Sequence, residues 1–387
     1  MHIYDYIIIG SGLTGLTISQ KIRQETENIL ILEASDQAGG NNRSLNFNGQ
    51  LINNGLRFFP ATDVSKKALQ FLESAIGKTI ADNTIESSIE TYEANGFKRF
   101  IGFGEKSPEF YDQLSYYLNS NEINLTTQPH EWLQTLMTRL QDKIQLKSIV
   151  TKFGFEGLDS AKPELTHAIV NGSKSFYARN FIFAGPVKDL GLLLPDDVLS
   201  IRAKAKLKKA LAWQSVGLDL IHSSTIEKTN LFLLNGTTDD DLGPCVGRFL
   251  PPVPAAAVGA SDMPPTNTCI SQWTSFIDSE SAEDTENIGL VLKKMKRQIR
   301  RAFPEMSETI IKERVSVSPV ISGSDLKLNA NGTISKVENL WIASPQVNSY
   351  QNLLGALTQS QFILSSLGFG TTEVAAINEN ISTDAQI

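Results

Sequence analysis

The residues best equipped for chemistry lie at the start of the chain. Gly10-Ser11-Gly12-Leu13-Thr14-Gly15 has the spacing of a turn that receives a dinucleotide diphosphate. Gly10 allows the tight turn, Gly12 lets a pyrophosphate approach the backbone, and Gly15 lets a helix pack closely on a strand. The helix that follows presents free N–H groups and a positive dipole end to phosphate oxygens. Glu33 stands eighteen residues beyond Gly15, placed to accept hydrogen bonds from a ribose 2′-hydroxyl. An acid there argues against a 2′-phosphate, and so against NADP. Three elements must hold these groups. Tyr4 to Ile9 is an apolar, β-branched run of the kind that forms a buried parallel strand. Leu16 to Ile22 alternates at helical spacing, and Ile29 to Leu32 is a second apolar strand ending at the acid.

The stretch after the acid bears on the cofactor. Glu33-Ala34-Ser35-Asp36-Gln37-Ala38-Gly39-Gly40-Asn41-Asn42-Arg43 resembles the second signature of the FAD-containing amine oxidase superfamily, which includes protoporphyrinogen oxidases, phytoene desaturases and UDP-galactopyranose mutases. The resemblance implies FAD, with the Gly39-Gly40 backbone against the diphosphate and ribityl region and Leu13, Thr14, Ala34, Asn41 and Arg43 close by. Asn41 stands where many amine oxidases have arginine, and Gly-Gly-Asn is usual in the mutases.

Later segments extend the resemblance. In Asn53 to Phe59, Gly55 matches a small residue near the isoalloxazine, flanked by Leu56 and by Arg57, which either faces the flavin or an anionic substrate or serves as a structural arginine. Val150 matches a valine whose backbone contacts adenine. Ala184-Gly185-Pro186 ends a buried strand where these flavoproteins cross between domains. Leu354, Gly355 and Ala356 match the Gly-Ala helix opening that stabilises negative charge at the pyrimidine end of the flavin. Ser344-Pro345 departs from the family, because a glycine followed by an acid is expected there. That acid normally bonds the ribityl chain, and Pro345 has no N–H to donate.

The totals exclude other classes. With 387 residues, 41% hydrophobic and 20% charged, the chain has the makeup of a soluble globular protein with one elaborated domain or two. A net charge of −7 gives no reason to expect nucleic acid. Cys245 and Cys269 make no disulfide framework, and His2, His130, His167 and His222 are scattered, so no metal is expected. No signal peptide or membrane-length apolar run is evident, and a cytoplasmic location is the default.

The pattern along the chain reads as α/β: a Rossmann-like FAD-binding domain from 1–63, 130–188 and 320–387, with a second, inserted α+β substrate domain from 64–129 and 189–319. Hairpins are expected at Asn48-Gly49 and Asn171-Gly172, and helices over Lys66–Ile76, Pro108–Leu118, Pro129–Leu140 and Asp284–Phe303. The basic run Ile201 to Trp213 reads as a solvated face or a contact for lipid or an anionic ligand. The Pro- and Ala-rich stretch from Leu242 to Pro265 reads as an ordered surface loop or a lid.

The leading expectation is an FAD-dependent oxidoreductase acting on a small amine-like or related substrate by hydride transfer to flavin N5, with O2 as a candidate acceptor. No catalytic side chain is identified, and the oligomeric state is not encoded in any motif. The alternatives are a non-catalytic flavoprotein or partner-binding subunit, and a flavin-dependent isomerase like UDP-galactopyranose mutase.

Overall fold

The computed structural model describes residues 2–47, 50–53, 59–105, 107–108, 110–111, 118–209, 212–224, 226, 228, 230–235, 244–250, 268–322, 326–334, 336–350 and 352–369. The first strand, β1 (Ile3–Ile9), turns at Gly10 into α1 (Leu13–Ile22), and β2 (Ile29–Leu32) returns beside it. Chain order then gives β3 (Ser44–Phe47), β4 (Gln50–Asn53), α2 (Asp63–Ile76), β5 (Ala81–Ser87), β6 (Glu90–Glu93), β7 (Gly96–Arg99) and β8 (Glu122–Leu125). Next come α3 (Pro129–Leu140), β9 (Ile144–Gln145), β10 (Val150–Glu156), β11 (Glu164–Val170), β12 (Lys174–Phe183), α4 (Leu190–Leu193) and α5 (Ile201–Lys208). The last part holds β13 (Ala212–His222), β14 (Phe232–Leu234), β15 (Cys245–Phe249), β16 (Cys269–Asp278), α6 (Thr285–Ala302), β17 (Ile310–Ser322), β18 (Thr333–Ile334), β19 (Val337–Ile342) and α7 (Asn352–Ser366).

Five strands run parallel in the spatial order β9-β2-β1-β12-β19. Such strands are covered on both faces, which is why their sequences are nearly continuous apolar runs. Ile7, Ile8, Ile31, Phe181 and Ile182 are all fully buried. Helices α1, α2, α3 and α7 pack together on one face around Leu16, Leu72, Leu136 and Leu357. The antiparallel extension β10-β11-β12 covers the other face with Phe153, Leu165, Leu190 and Leu199.

The second sheet has the order β17-β13-β16-β15-β14-β6-β7. One face alternates Val216, Leu218 and Leu220 into a core with Trp273, Met295 and Ile299, under α6. Burial of that stripe gives α6 its amphipathic sequence, with Asp284 accepting from the Glu286 N–H at its start. Among the described residues, no helix is long and apolar enough to cross a membrane.

The structure differs from the sequence expectation at the unit boundaries. Helix α2, expected in the substrate domain, packs on α1 and α7, and α4 and α5 pack on β10 and its neighbours. Apolar spacing marks a buried face but does not say which sheet buries it. Ile144 and Val150 lie in separate strands, β9 and β10, parted at Lys147, which takes a positive φ of 52°. Most of Pro108–Leu118 and of Leu242–Pro265 lies outside the described residues, as does the Asn48-Gly49 turn. The Asn171-Gly172 hairpin forms, with both residues left-handed at φ 51° and 76°.

Candidate dinucleotide site

The site is built on one edge of the parallel sheet. The residue after each strand donates to the neighbouring strand: Gly10 N–H to Leu32 O (2.9 Å), Ala184 N–H to Ile9 O (2.8 Å), Ala343 N–H to Phe183 O (2.8 Å) and Glu33 N–H to Gln145 O (3.0 Å). Gly10, Glu33, Ala184 and Ala343 therefore stand level at the carboxyl ends of neighbouring strands. In open α/β sheets that edge is where ligands bind.

The glycines do different work there. Gly10 has φ 101°, a conformation that L side chains rarely adopt, and a Cβ on it would lie 3.2 Å from Ala184 O. A Cβ on Gly15 would lie 2.0 Å from Gly10 O, so α1 presses directly on the turn. Gly12 has no atom within 4 Å of an added Cβ, which leaves open space over its backbone. The first helical bond of α1 runs from Leu16 N–H to Gly12 O (2.9 Å). The N–H groups of Leu13, Thr14 and Gly15 precede it and carry the helix's partial positive charge.

The Gly39-Gly40 pair folds back onto this turn. Gly39 N–H donates to Ser11 O (2.9 Å), and a Cβ on Gly40 would lie 3.1 Å from the Gly12 Cα. Gly40 to Asn42 make one 3-10 turn, with Arg43 directly after it. The loop after the acid thus closes over the loop before α1, and Asn41 is exposed on its rim.

Glu33 is 8% exposed. Its Oε2 accepts from Ser11 N–H (2.9 Å) and Ser11 Oγ (2.6 Å), and its Oε1 from Ser35 N–H (2.9 Å) and Ser35 Oγ (2.6 Å). Burial pushes its pKa up, but these four bonds outweigh it and hold the carboxyl below its ordinary range. Glu33 is therefore a fixed anion at the end of β2. The sequence alone does not mark Ser11 and Ser35 as its partners. Their positions directly after Gly10 and two residues after the acid were the available signal.

The carboxyl-terminal segment closes the site. Ser344 is buried and its Oγ accepts from Gln346 N–H (3.4 Å), capping a 3-10 turn that Pro345 opens. Gln346 Oε1 accepts from Val187 N–H (2.6 Å), tying this turn to the loop after Ala184-Gly185. Neither Ser344 nor Pro345 supplies the carboxylate that the family pattern has there. Leu354, Gly355 and Ala356 are buried in the first turns of α7. A Cβ on Gly355 would lie 2.1 Å from Tyr350 O, so the helix begins hard against its own preceding loop. Ser360 Oγ donates to Ala356 O (2.7 Å) with Thr14 O at 3.4 Å, and Gln359 Nε2 donates to Ile342 O (2.8 Å). These contacts bring the amino-terminal and carboxyl-terminal motifs together.

Val150 opens β10 and pairs with Val170, whereas the residues that run beside β2 are Ile144 and Gln145. Gly55, Leu56 and Arg57 lie outside the described residues. Ala34 is exposed between Glu33 and Ser35. Among the described residues, no three His, Cys, Asp or Glu side chains gather as a metal centre requires.

The geometry suits a dinucleotide: open space above Gly12, free N–H groups at α1, and a buried anion at the neighbouring strand end. Comparison with known proteins agrees at the level of fold. Residues 8–75 match the model of the NAD(P)-binding Rossmann-like domain. An oxidoreductase from Methanosarcina mazei superposes with a TM-score of 0.69 at 11% identity, over 93% of this chain and 99% of the other. Putrescine oxidase bound to putrescine gives a TM-score of 0.62 at 11% identity, over 94% of this chain and 98% of the other. Cyclohexylamine oxidase from Brevibacterium oxydans IH-35A gives 0.61 at 12% identity, over 98% and 100%. At such identities the likeness establishes the fold, across nearly the whole chain. No curated protein matches the chain by sequence.

Proposed function

We propose that this chain is an FAD-dependent oxidoreductase of the amine oxidase type, acting on a small amine-like or related organic substrate. The observation that carries the reading is the meeting of three distant segments, Gly10–Gly15, Glu33–Arg43 and Ser344–Ala356, at one edge of the parallel sheet. A two-segment NAD site would not need the third. The likeness to putrescine oxidase and cyclohexylamine oxidase in fold supports the substrate class by analogy.

In this reading the α1 N-terminus holds the diphosphate, and Glu33 orients the ribose by accepting its hydroxyls in exchange for one or more of the serine bonds. The start of α7 supplies N–H groups and a positive dipole end to the pyrimidine edge of the flavin. When bound, the isoalloxazine supplies the hydride acceptor, at N5. O2 is the acceptor proposed to close the cycle. Ser344, Gly355 and Ala356 are buried at that end of the candidate site.

Anaerobic addition of amines and amino acids to the purified protein, followed in the visible range, tests the reading. Bleaching by one class, with one acceptor consumed per turnover in air, is the expected result. A flavin that no candidate reduces would support the second reading, a flavoprotein without turnover, which the missing acid at Pro345 favours.

A further inference from the structure

A charged row crosses the face of the second sheet that α6 does not cover. Register places Arg314 of β17 opposite Asp219 of β13, Asp219 opposite Gln272 of β16, and Gln272 opposite Arg248 of β15. Residues directly opposite on antiparallel strands share a face. Asp219 is fully buried; its Oδ2 accepts from Arg314 Nε (2.9 Å) and Nη2 (2.5 Å), and its Oδ1 from Gln272 Nε2 (3.0 Å). At the far end Arg248 donates through Nη2 to Glu122 of β8, itself 3% exposed.

The row adjoins the dinucleotide unit at both ends. The Arg314 guanidinium lies 5.8 Å from the Phe47 ring, and Phe47 and Ile52 pack on Ile221 and Ile270 of the sheet. Glu122 bridges to Pro60, and Ile123 N–H donates to Phe59 O (2.9 Å). Both contacts are to the chain segment that leaves the Gly39-Gly40 loop. The uncovered face of the second sheet is thus turned toward the dinucleotide unit.

Two carboxylates buried in such a row are costly to desolvate, and apolar residues of similar size would pack the face at less expense. Arg248 shows what the expense secures. Its side chain is 19% exposed, and only Nη2 has a partner, so Nε and Nη1 have none among the described residues. Neither nitrogen is sealed in protein without a partner, as the indole nitrogen of Trp213 is. Part of the Arg248 side chain is accessible. A guanidinium so fixed, with most of its five donors unused, is preorganised for a planar oxyanion.

We propose that Arg248 binds a carboxylate of the substrate, held in place by Glu122, with the Gln272–Asp219–Arg314 row continuing from it across the sheet. Glu122 already meets part of the Arg248 charge, so a monoanion suits the guanidinium better than a phosphate dianion. The inference rests on the flavin reading only for calling that ligand a substrate.

Calorimetric titration of the protein with benzoate and benzamide tests it. Benzoate is expected to bind, with benzamide roughly tenfold or more weaker, and Arg248→Met to weaken benzoate by roughly tenfold to a hundredfold. Arg248→Lys is expected to fall between. Should Arg248→Met unfold because Glu122 is left unpaired, the Glu122→Gln/Arg248→Met double variant removes both charges together, and the benzoate-to-benzamide ratio on the unaltered protein needs no variant. No benzoate binding at millimolar concentration, equal binding of benzamide, or undiminished binding by the folded variants would overturn the proposal. Heat is read without a flavin signal. Benzoate binding through Arg248 in a protein that takes no FAD would sink the flavin reading and leave this one standing.

Discussion

Gly15 and Gly10 touch so closely that a single added carbon on Gly15 would sit 2.0 Å from the Gly10 carbonyl oxygen. That contact fixes the start of α1 against the end of β1. Gly12, between them, meets nothing within 4 Å. Gly15→Ala must shift the helix and is expected to cost about 1–3 kcal/mol. Gly12→Ala is expected to cost less than about 1 kcal/mol and yet to abolish dinucleotide binding, because the new methyl fills the space proposed for phosphate. Thermal melts with and without added FAD separate the two outcomes.

Glu33 ties stability to pH. Its folded pKa lies below the ordinary value of 4.5, so its contribution is fully present above that value and is lost as pH falls through the lower, folded one. Glu33→Gln turns an amide NH2 toward the N–H groups of Ser11 or Ser35. It is expected to destabilise the protein by about 1–3 kcal/mol at neutral pH. The gap from the unaltered protein should close in acid below the ordinary carboxylate range. Denaturant melts across that range check this, and a pH-independent gap would contradict it.

Asp219 carries both Arg314 and Gln272 on one fully buried carboxylate. Asp219→Ala strands the guanidinium and is expected to cost about 3–5 kcal/mol. Asp219→Leu with Arg314→Met should recover most of that loss in a urea melt, since the pair is then removed together.

The Cys245 side chain is fully buried and Cys269 nearly so. Burial pushes the Cys245 thiol well above its usual range, so thiolate is scarce at neutral pH. Iodoacetamide should label neither thiol in the folded protein and both in denaturant, as mass spectrometry would show.

The legible part of this molecule is its first strand, first helix and second strand. Their local sequence carries the geometry: apolar runs for buried strands, glycines where backbones meet, and an acid at a strand end. The helix Pro129–Leu140 was likewise readable from its apolar face. What local sequence could not show was partnership. Val150 and Ile144 lie in one alternating run, and only the left-handed turn at Lys147 separates the strand beside β2 from the next one. The row from Arg314 to Glu122 joins five elements that are far apart in the chain. Its one local trace is Asp219, a lone acid among the apolar residues of β13.

The visible spectrum of the purified protein, recorded before and after incubation with FAD and desalting, decides whether the chain holds a flavin. Flavin bands at about 370 and about 450 nm that remain with the protein and are absent from Gly12→Ala are the expected result. A protein that stays colourless after incubation while folded, or a Gly12→Ala variant that retains the bands, would contradict it.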